Sequence, residues 1–176
     1  MAEAPGGDPP GSPFSIATLQ VEGGGRIGIS SLPGKNNRFE ADLAALLSWE
    51  PVLVLSMTEI SEMEAAGSAS LGARLESAGM DWVHLPVRDY GGLRSKHALA
   101  WPVLSSRLHG HLDEGNGVLV HCNGGQGRSG MIALRLMVER GEDPNVALRR
   151  LRTARPGAVE TDEQHAWALH CKQSTA

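Results

Sequence analysis

The segment from residue 118 to residue 141 joins a short apolar run to a glycine-rich loop and then to a helical pattern. The run Val118-Leu119-Val120 follows the turn residues at 115–117 and contains only branched apolar side chains, which predicts a strand buried on both faces. After His121-Cys122 and five loop residues, the pattern from Ser129 to Arg140 predicts a helix that Gly141 ends. A strand buried on both faces needs helices on both sides of its sheet, so this segment favours an α/β fold.

The remainder of the chain alternates strand and helix patterns in the same way. Short apolar runs predict strands at 15–21, 26–30, 52–55 and 82–85, of which the first two form a hairpin around three glycines. Apolar residues at helical spacing predict helices near 39–47, 71–78 and 104–112, a helix at Pro144–Ala154 with Asp143 as N-cap, and a last helix that begins at Thr161. Strands that alternate with helices predict a single α/β domain with a central, mostly parallel, twisted sheet flanked by helices on both faces.

The length and the charge distribution limit the other possibilities. A chain of 176 residues is sufficient for one core, so we expect one domain at 14–176 behind a flexible tail at 1–13 that holds four prolines and three glycines. Lysine and arginine number 16 against 20 aspartates and glutamates, without a basic run, which disfavours nucleic acid as a partner. No apolar run is long enough to span a bilayer and no secretory leader is apparent, so we expect a cytoplasmic monomer with no membrane partner.

The loop after the central strand has the composition of an anion-binding site. Glycine lacks Cβ, so the backbone can turn its N–H groups inward around one phosphate, and the following helix adds its own N-terminal donors and dipole. The same donors stabilise a thiolate, so Cys122 is predicted to be an ionised nucleophile at neutral pH. The predicted phosphate-binding residues are Asn123, Gly124, Gly125, Gln126, Gly127 and Arg128.

Three side chains next to the loop have predicted supporting roles. The planar guanidinium of Arg128 can hold two phosphate oxygens and neutralise charge in the transition state. Ser129 is placed to hydrogen-bond the thiolate and to ease its departure, and His121 is expected to fix the loop through backbone groups. The alternative for Cys122 is a buried small apolar residue at a strand end. The glycines, the arginine and the strand-loop-helix context together favour the catalytic interpretation.

The segment His-Cys-x5-Arg-Ser-Gly resembles the signature of the protein tyrosine and dual-specificity phosphatases. Three further segments, at 30–34, 85–89 and 155–159, look like those of the branch that contains the kinase-associated phosphatase. The resemblance covers about residues 27–170 and implies a compact α/β phosphatase domain that needs no metal or other cofactor. It implies phosphotyrosine, phosphoserine or phosphothreonine in proteins as substrates.

The mechanism also requires a proton donor for the leaving alcohol. Asp89 is the candidate, because it follows a predicted strand, precedes Tyr90-Gly91-Gly92 and lies where the family pattern leads one to expect an acid. The alternative is an aspartate that forms a local turn. Arg88, Arg94 and Lys96 surround this loop, and they either contact a phosphoprotein or form a solvated face.

Two residues near the C-terminal end occupy positions where related enzymes carry water-positioning glutamines. Gln164 is a candidate for this role, but Thr161-Asp162-Glu163-Gln164 also fits a capping box. The other position holds Glu160, and a carboxylate beside a phosphorylated cysteine is repelled unless it is protonated or turned away. Whether either residue assists hydrolysis of the intermediate stays open from the sequence.

Other candidates have weaker support. Among seven histidines, His109 and His111 lie two apart on a predicted helix and face different sides, so no metal ligand set emerges. Cys171 is expected to pack on the sheet from the last helix, with a redox partnership to Cys122 as the alternative. The segment from Lys35 to Phe39 is predicted to line the substrate entrance, although Phe39 equally suits the first core position of its helix.

These observations favour a phosphoprotein phosphatase that works through a phosphocysteine intermediate and binds phosphate, vanadate or sulfate in its loop. The alternatives are a phosphatase of a lipid or small-molecule phosphate and a phosphate-recognising module without turnover. The loop contains no lysine, which disfavours a polyphosphorylated inositol. A sulfur-transfer or arsenate-reducing enzyme is a further alternative that Asp89 and His121 disfavour.

Overall fold

The computed structural model describes residues 11–170, which form a five-stranded sheet covered by helices. The strands are β1 (Ile16–Gln20), β2 (Arg26–Ser30), β3 (Leu53–Ser56), β4 (Asp81–His84) and β5 (Gly117–His121). Their order across the sheet is β1-β2-β5-β3-β4. Only the β1–β2 hairpin is antiparallel, and the other neighbouring pairs are parallel. The predicted mostly parallel sheet with an opening hairpin is therefore confirmed.

The last strand along the chain, β5, lies at the centre of this sheet. It pairs with β2 on one side and with β3 on the other, so Ser30 and Ser56 both lie level with His121. All residues of β3 and β5 are buried. Because the carboxyl ends of parallel strands meet at one edge of the sheet, Cys122 emerges at that edge between two neighbouring strands, where α/β folds place their ligands.

In the described part of the chain, seven α-helices cover the two faces of the sheet. They are α1 (Phe39–Ser48), α2 (Ile60–Ala65), α3 (Leu71–Ser77), α4 (Ser95–Asp113), α5 (Gly127–Glu139), α6 (Pro144–Ala154) and α7 (Asp162–Leu169). Alternate residues of β5 serve the two faces: Val118 and Val120 join a core with α4 to α7, whereas Leu119 joins a core with α1 to α3. The core on each side fixes the register of β5 and hence the position of the loop after it.

The structure modifies several predicted boundaries. The short helix α2 was not predicted, α4 begins at Ser95 and continues through Pro102, and α5 begins at Gly127. The boundaries of α6 are confirmed, and Asp143 caps it by accepting two backbone N–H groups. The proposed packing of Cys171 lies outside the described residues, and the tail boundary at residue 13 stays a prediction. Within residues 11–170, no helix combines the length and apolar character needed to cross a membrane.

Candidate active site

The loop after β5 is held from the outside through its carbonyl oxygens. The Asn123 carbonyl accepts the Leu32 N–H at 3.1 Å. The buried guanidinium of Arg155 donates from Nη2 to the Gly124 carbonyl at 2.9 Å and from Nε to the Gly125 carbonyl at 2.8 Å. Arg155 begins the segment at 155–159 that resembles the phosphatase family, and no function was predicted for it. No sequence pattern indicated that its guanidinium contacts the loop.

The fourth carbonyl of the loop, that of Gln126, accepts the N–H of Val159 at 3.1 Å. In a trans peptide the carbonyl and the following N–H point in opposite directions. Since the carbonyls of residues 123–126 are bound on the outside, the N–H groups of residues 124–127 face the inside. The loop therefore forms the concave set of donors that an oxyanion requires, with the N-terminus of α5 at its end.

The three loop glycines differ in what they contribute. Gly125 has φ +72°, and a Cβ on it would lie 2.5 Å from the carbonyl carbon of Ser30. Gly127 has no positive φ, but the side chains of Glu160 and Gln164 fill the space that its Cβ would need. Gly124 has neither constraint. The expectation that all three serve backbone freedom therefore holds only for Gly125.

Cys122 is buried beside the loop, with 2% of its surface exposed. Its Sγ lies 3.3 Å from Oγ of Ser129, which belongs to the first turn of α5 and is fully buried. The predicted contact between this cysteine and Ser129 is present in the structure. The thiol therefore has one fixed hydroxyl partner and faces the N-terminal end of a helix dipole.

Arg128 is almost completely buried, and its guanidinium is held by several partners. Its Nη1 and Nη2 donate to the two carboxylate oxygens of Glu62 at 2.8 and 2.7 Å, and Nη1 also donates to the Val87 carbonyl at 2.9 Å. Its Nη2 lies 3.3 Å from Oδ1 of Asp89. Within the described part of the chain, Nε of Arg128 has no hydrogen-bond partner. The two terminal nitrogens of the guanidinium are thus fixed, while the buried Nε keeps an unused donor.

Glu62 is a further site residue that no sequence pattern indicated. Its carboxylate also accepts the Glu59 N–H at 2.8 Å in the capping box that begins α2. Burial alone would raise the pKa of Glu62, but the hydrogen bonds from Arg128 and Glu59 outweigh it and hold that pKa below its usual value. Burial similarly opposes the charge of Arg128, but Glu62 and the neighbouring acids keep its pKa raised. Because glutamate is a weak N-cap residue, the start of this helix has no strong sequence pattern.

His121 links the loop to the sheet edge. The Trp82 indole N–H donates to Oγ of Ser56 at 2.9 Å, and that hydroxyl contacts Nε2 of His121 at 2.5 Å. Burial, together with the charge of Arg128, lowers the pKa of His121 to about 4, although its contact with the Cys122 carbonyl opposes this shift. A neutral imidazole that accepts the Ser56 proton at Nε2 carries its own proton on Nδ1, which lies 3.5 Å from the Cys122 carbonyl. The predicted backbone contact of His121 is therefore observed.

Asp89 lies on the loop after β4, with its side chain about half exposed (47%). This loop is docked on the start of α7: Oε1 of Glu163 accepts the Gly92 N–H at 3.2 Å and Nε of Arg94 at 2.7 Å. Thr161 Oγ1 adds a bond of 3.2 Å to the Tyr90 carbonyl. The structure thus brings Asp89 next to the guanidinium of Arg128. Arg94 forms an ion pair with Glu163 within the chain.

Gln164 is fully buried at the junction of α7 and the loop. It forms the predicted capping box, with its N–H bonded to Thr161 Oγ1 at 3.2 Å and its Oε1 accepting the Thr161 N–H at 3.3 Å. The same Oε1 accepts the Glu160 N–H at 2.9 Å. Its side chain also borders Gly127, so both the capping position and proximity to the catalytic loop are observed.

A cleft of about 540 Å³ lies beside the catalytic loop. Its lining includes Asn123 of the loop, Glu62 of α2, and the residues Lys35, Asn36 and Asn37. Nζ of Lys35 lies 3.4 Å from the Asn123 carbonyl. The segment predicted to line the substrate entrance is therefore adjacent to the loop, and its lysine supplies a positive charge there.

Away from the loop, His109 forms a hydrogen bond through Nε2 with Oε2 of Glu139 at 2.9 Å. Among residues 11–170 there is no group of three or more histidine, cysteine, aspartate or glutamate side chains arranged to hold a metal ion.

A buried cysteine in an anion-binding loop, at the end of the central strand of this sheet, defines a cysteine-based phosphatase domain. The chain belongs to the family described as the Swiss Army Knife protein DSP-PTPase phosphatase domain, which matches residues 31–168. This confirms the resemblance to the dual-specificity phosphatases. No curated protein matches the chain.

Solved structures share the fold. A kinase associated phosphatase with its catalytic-site cysteine replaced by serine is 22% identical, with a TM-score of 0.78 over 90% of this chain and 93% of that one. Tk-PTP in the active form is 28% identical, with a TM-score of 0.63 over 80% of this chain and 87% of that one. PTPMT1 in complex with PI(5)P is 16% identical, with a TM-score of 0.66 over 87% and 92% of the two chains.

Proposed function

We propose that this chain hydrolyses phosphate monoesters of phosphoproteins through a phosphocysteine intermediate on Cys122. The observation that carries the proposal is the loop itself: four carbonyls are bound on its outside, so four N–H groups face the space beside the thiol. The unpartnered Nε of Arg128 adds a fifth donor. A buried group with unused donors needs a ligand, and phosphate has the charge and the oxygens to serve as one.

In the first half of the reaction, the phosphate displaces solvent from the loop and the thiolate of Cys122 attacks phosphorus. The loop N–H groups and Arg128 stabilise the charge on the equatorial oxygens, where preorganised donors are most effective. Asp89 protonates the leaving oxygen, and its position next to Arg128 supports this role. The bond from phosphorus to the leaving oxygen breaks as the bond to Sγ forms.

In the second half, water hydrolyses the phosphocysteine and the thiolate leaves again. The Ser129 hydroxyl, 3.3 Å from Sγ, can donate to the departing sulfur and stabilise its negative charge. His121 acts as a positioning residue: through Ser56 it ties the start of the loop to the sheet. Gln164 fixes the backbone of Glu160 from the other side.

A protein substrate is supported by the surroundings of the loop. The adjacent cleft is open, has polar and apolar lining, and is large enough for residues that flank a phosphorylated side chain. Lys35 at its edge favours acidic residues in the substrate. A phosphorylated lipid is the second candidate because PTPMT1, which shares the fold, was solved in complex with PI(5)P.

The test compares the wild type with Cys122→Ser on p-nitrophenyl phosphate, phosphotyrosine and phosphothreonine peptides, and PI(5)P vesicles. We expect turnover by the wild type alone, highest kcat/KM on a peptide, strong inhibition by vanadate and no effect of chelators. The variant should still bind phosphate, because the loop donors and Arg128 remain. Equal activity of the variant refutes the covalent mechanism. A higher kcat/KM on vesicles assigns a lipid substrate, and binding without any turnover identifies a recognition module.

A further inference from the structure

The acid loop, residues 88–94, carries Asp89 and lies directly before α4. Much of it is exposed, and Tyr90 has φ +62°, a strained conformation for a bulky residue that persists only where neighbouring groups impose it. Asp89 itself supplies one such contact, because its Oδ1 accepts the Tyr90 N–H at 3.0 Å. The position of the proposed acid therefore depends on what holds the backbone of this loop.

Side chains in the first turn of α7 bind the backbone of the residues that follow Asp89. The Thr161 hydroxyl donates to the Tyr90 carbonyl at 3.2 Å. Nε2 of Gln164 donates to the Gly91 carbonyl at the longer distance of 3.5 Å. Because Thr161 and Gln164 also form the capping box of α7, the helix itself fixes the positions of these two side chains. The acid loop is thus docked on a fixed helix end.

Glu163 binds the next residue along the acid loop. Its Oε1 accepts the Gly92 N–H at 3.2 Å and Nε of Arg94 at 2.7 Å. A Cβ on Gly92 would lie 3.2 Å from Cγ of Glu163, so the glutamate side chain packs directly on the loop backbone. Hydrogen bonds from Arg94 and then from the Gly92 N–H hold the pKa of Glu163 below its usual value. The ionised carboxylate is therefore the acceptor at neutral pH.

The helix that carries Glu163 is anchored to the rest of the domain. Nη1 of Arg135 in α5 donates to the Trp167 carbonyl at 2.7 Å, and the Trp167 ring meets that of Trp101 edge-on, with centroids 5.1 Å apart. The buried Gln164 side chain borders Gly127 of the catalytic loop. The helix α7 therefore contacts both the catalytic loop and the acid loop and sets one relative to the other.

We propose that Glu163 is a positioning residue for Asp89: by binding the Gly92 N–H, it holds the acid loop where Asp89 can reach the leaving oxygen. This inference rests on the role of Asp89 in the mechanism proposed above. Glu163 stays ionised throughout and takes part in no bond change. Because it acts only through proton donation, it matters for basic leaving groups such as the threonine alkoxide and little for p-nitrophenolate. Without this contact the site favours aryl phosphates over alkyl phosphates.

The experiment compares Glu163→Ala with Asp162→Ala, which removes an acidic side chain from an exposed position in the same helix turn. The value of kcat/KM is measured on a phosphothreonine peptide and on p-nitrophenyl phosphate. We expect Glu163→Ala to lose about tenfold or more on the peptide, up to the roughly 10²–10⁴-fold contribution of a general acid, and less than about threefold on p-nitrophenyl phosphate. Hydrogen exchange of residues 88–94 should be faster in this variant. Asp162→Ala should match the wild type in all three measurements.

Two further variants separate the hydrogen bond from the ion pair. Glu163→Gln keeps an amide oxygen for the Gly92 N–H, and Arg94→Met removes the cation but leaves the carboxylate, so both should retain most of the activity on the peptide. A double variant tests whether Glu163 acts through Asp89. If it does, Glu163→Ala combined with Asp89→Asn should be no slower on the peptide than Asp89→Asn alone.

Several results overturn the inference. Equal losses of Glu163→Ala on both substrates mean that the side chain supports the fold or phosphate binding in general. Wild-type activity on the peptide, or unchanged hydrogen exchange of the acid loop, means that the loop does not need this contact. Additive losses in the double variant mean that Glu163 acts apart from Asp89, and a loss in Glu163→Gln as large as in Glu163→Ala means that the bond to Gly92 is not the means. Equal losses of Asp89→Asn on the two substrates are a different failure, because they remove the role of the acid itself and this inference with it.

Discussion

The guanidinium of Arg128 and the carboxylate of Glu62 meet through two parallel hydrogen bonds of 2.7 and 2.8 Å beneath the catalytic loop. Arg128 is 1% exposed, so its charge depends on this partner rather than on solvent. The pair also sets the plane of the guanidinium. A lysine could not reproduce that planar, two-bond geometry.

Removal of Glu62 should therefore affect both stability and catalysis. We expect Glu62→Ala to lower the free energy of unfolding by about 3–5 kcal/mol, the usual cost of leaving one member of a buried ion pair unpaired. The value of kcat/KM should fall at least tenfold, because Arg128 loses its fixed orientation. Urea unfolding and steady-state kinetics measure the two effects. The control is Glu64→Ala on the exposed side of α2, and equal behaviour of the two variants would show that the ion pair contributes nothing.

The loop glycines offer a matched pair of substitutions. A Cβ on Gly125 would clash with the backbone of Ser30, and φ there is +72°, whereas a Cβ on Gly124 has no heavy atom within 4 Å. We expect Gly125→Ala to lose vanadate binding and nearly all turnover, and Gly124→Ala to keep most of both. Vanadate inhibition constants for the two variants provide the measurement. A comparable loss at both positions would mean that the loop changes shape when it binds an anion.

The contribution of Asp89 to the reaction rate should increase with the basicity of the leaving group. Asp89→Asn cannot donate a proton, so we expect a loss of roughly 10²–10⁴-fold on phosphothreonine peptides. The loss on p-nitrophenyl phosphate should be much smaller, since p-nitrophenolate leaves without a proton. The values of kcat/KM for the two substrates provide the measurement. Equal losses on both substrates would assign the proton to another group.

A buried acid far from the loop should govern stability at low pH. Burial opposes the charge of Glu139, but hydrogen bonds from His109, Arg135, Ser105 and Trp101 outweigh it and lower its pKa from 4.5 to about 2. Because the pKa is lower in the folded state, the ionised carboxylate contributes stability above about pH 4.5 and loses it as the pH falls towards about 2. We expect Glu139→Gln to lower Tm at pH 7, and the difference from the wild type should shrink with acidification.

The control for that measurement is Glu76→Gln, an exposed position on α3. It should leave Tm unchanged at every pH. Circular dichroism melting curves between pH 2 and pH 7 would record all three proteins. A difference between the wild type and Glu139→Gln that is constant with pH would mean that the carboxylate charge has no part in holding α4 to α5.

The sequence predicted the fold well where hydrophobic patterns are strong. Val118 to Val120 form the buried central strand as expected, and the capped helix Pro144–Ala154 has the predicted boundaries. The helix Ile60–Ala65 was missed because it has six residues and a glutamate as N-cap. The start of α4 was placed too late, because Pro102 and polar residues hide the helical period in its first turns.

The candidate site likewise contains residues that the sequence indicated and residues that only the structure reveals. Cys122, Arg128 and Ser129 belong to one short segment, so their spacing, the loop glycines and the strand-loop-helix context together indicated that they would lie close to one another. Glu62 and Arg155 reach the loop from other elements through long side chains, and no local pattern records such contacts. The same holds for Ser56, which contacts His121 across the sheet, and for Trp82, which contacts Ser56. Long-range polar partners of a loop become visible only once the strand order is known.

The central place of β5 divides this site into an invariable part and an adjustable part. The nucleophile follows a strand paired on both sides, which is among the last parts of a sheet to open in native-state fluctuations. Asp89 is supplied by a surface connection, and such connections tolerate insertion and replacement far better than core strands do. Under the proposed mechanism, descendants of such a chain can therefore change the leaving groups they accept by remodelling that loop while the sulfur of Cys122 keeps its position.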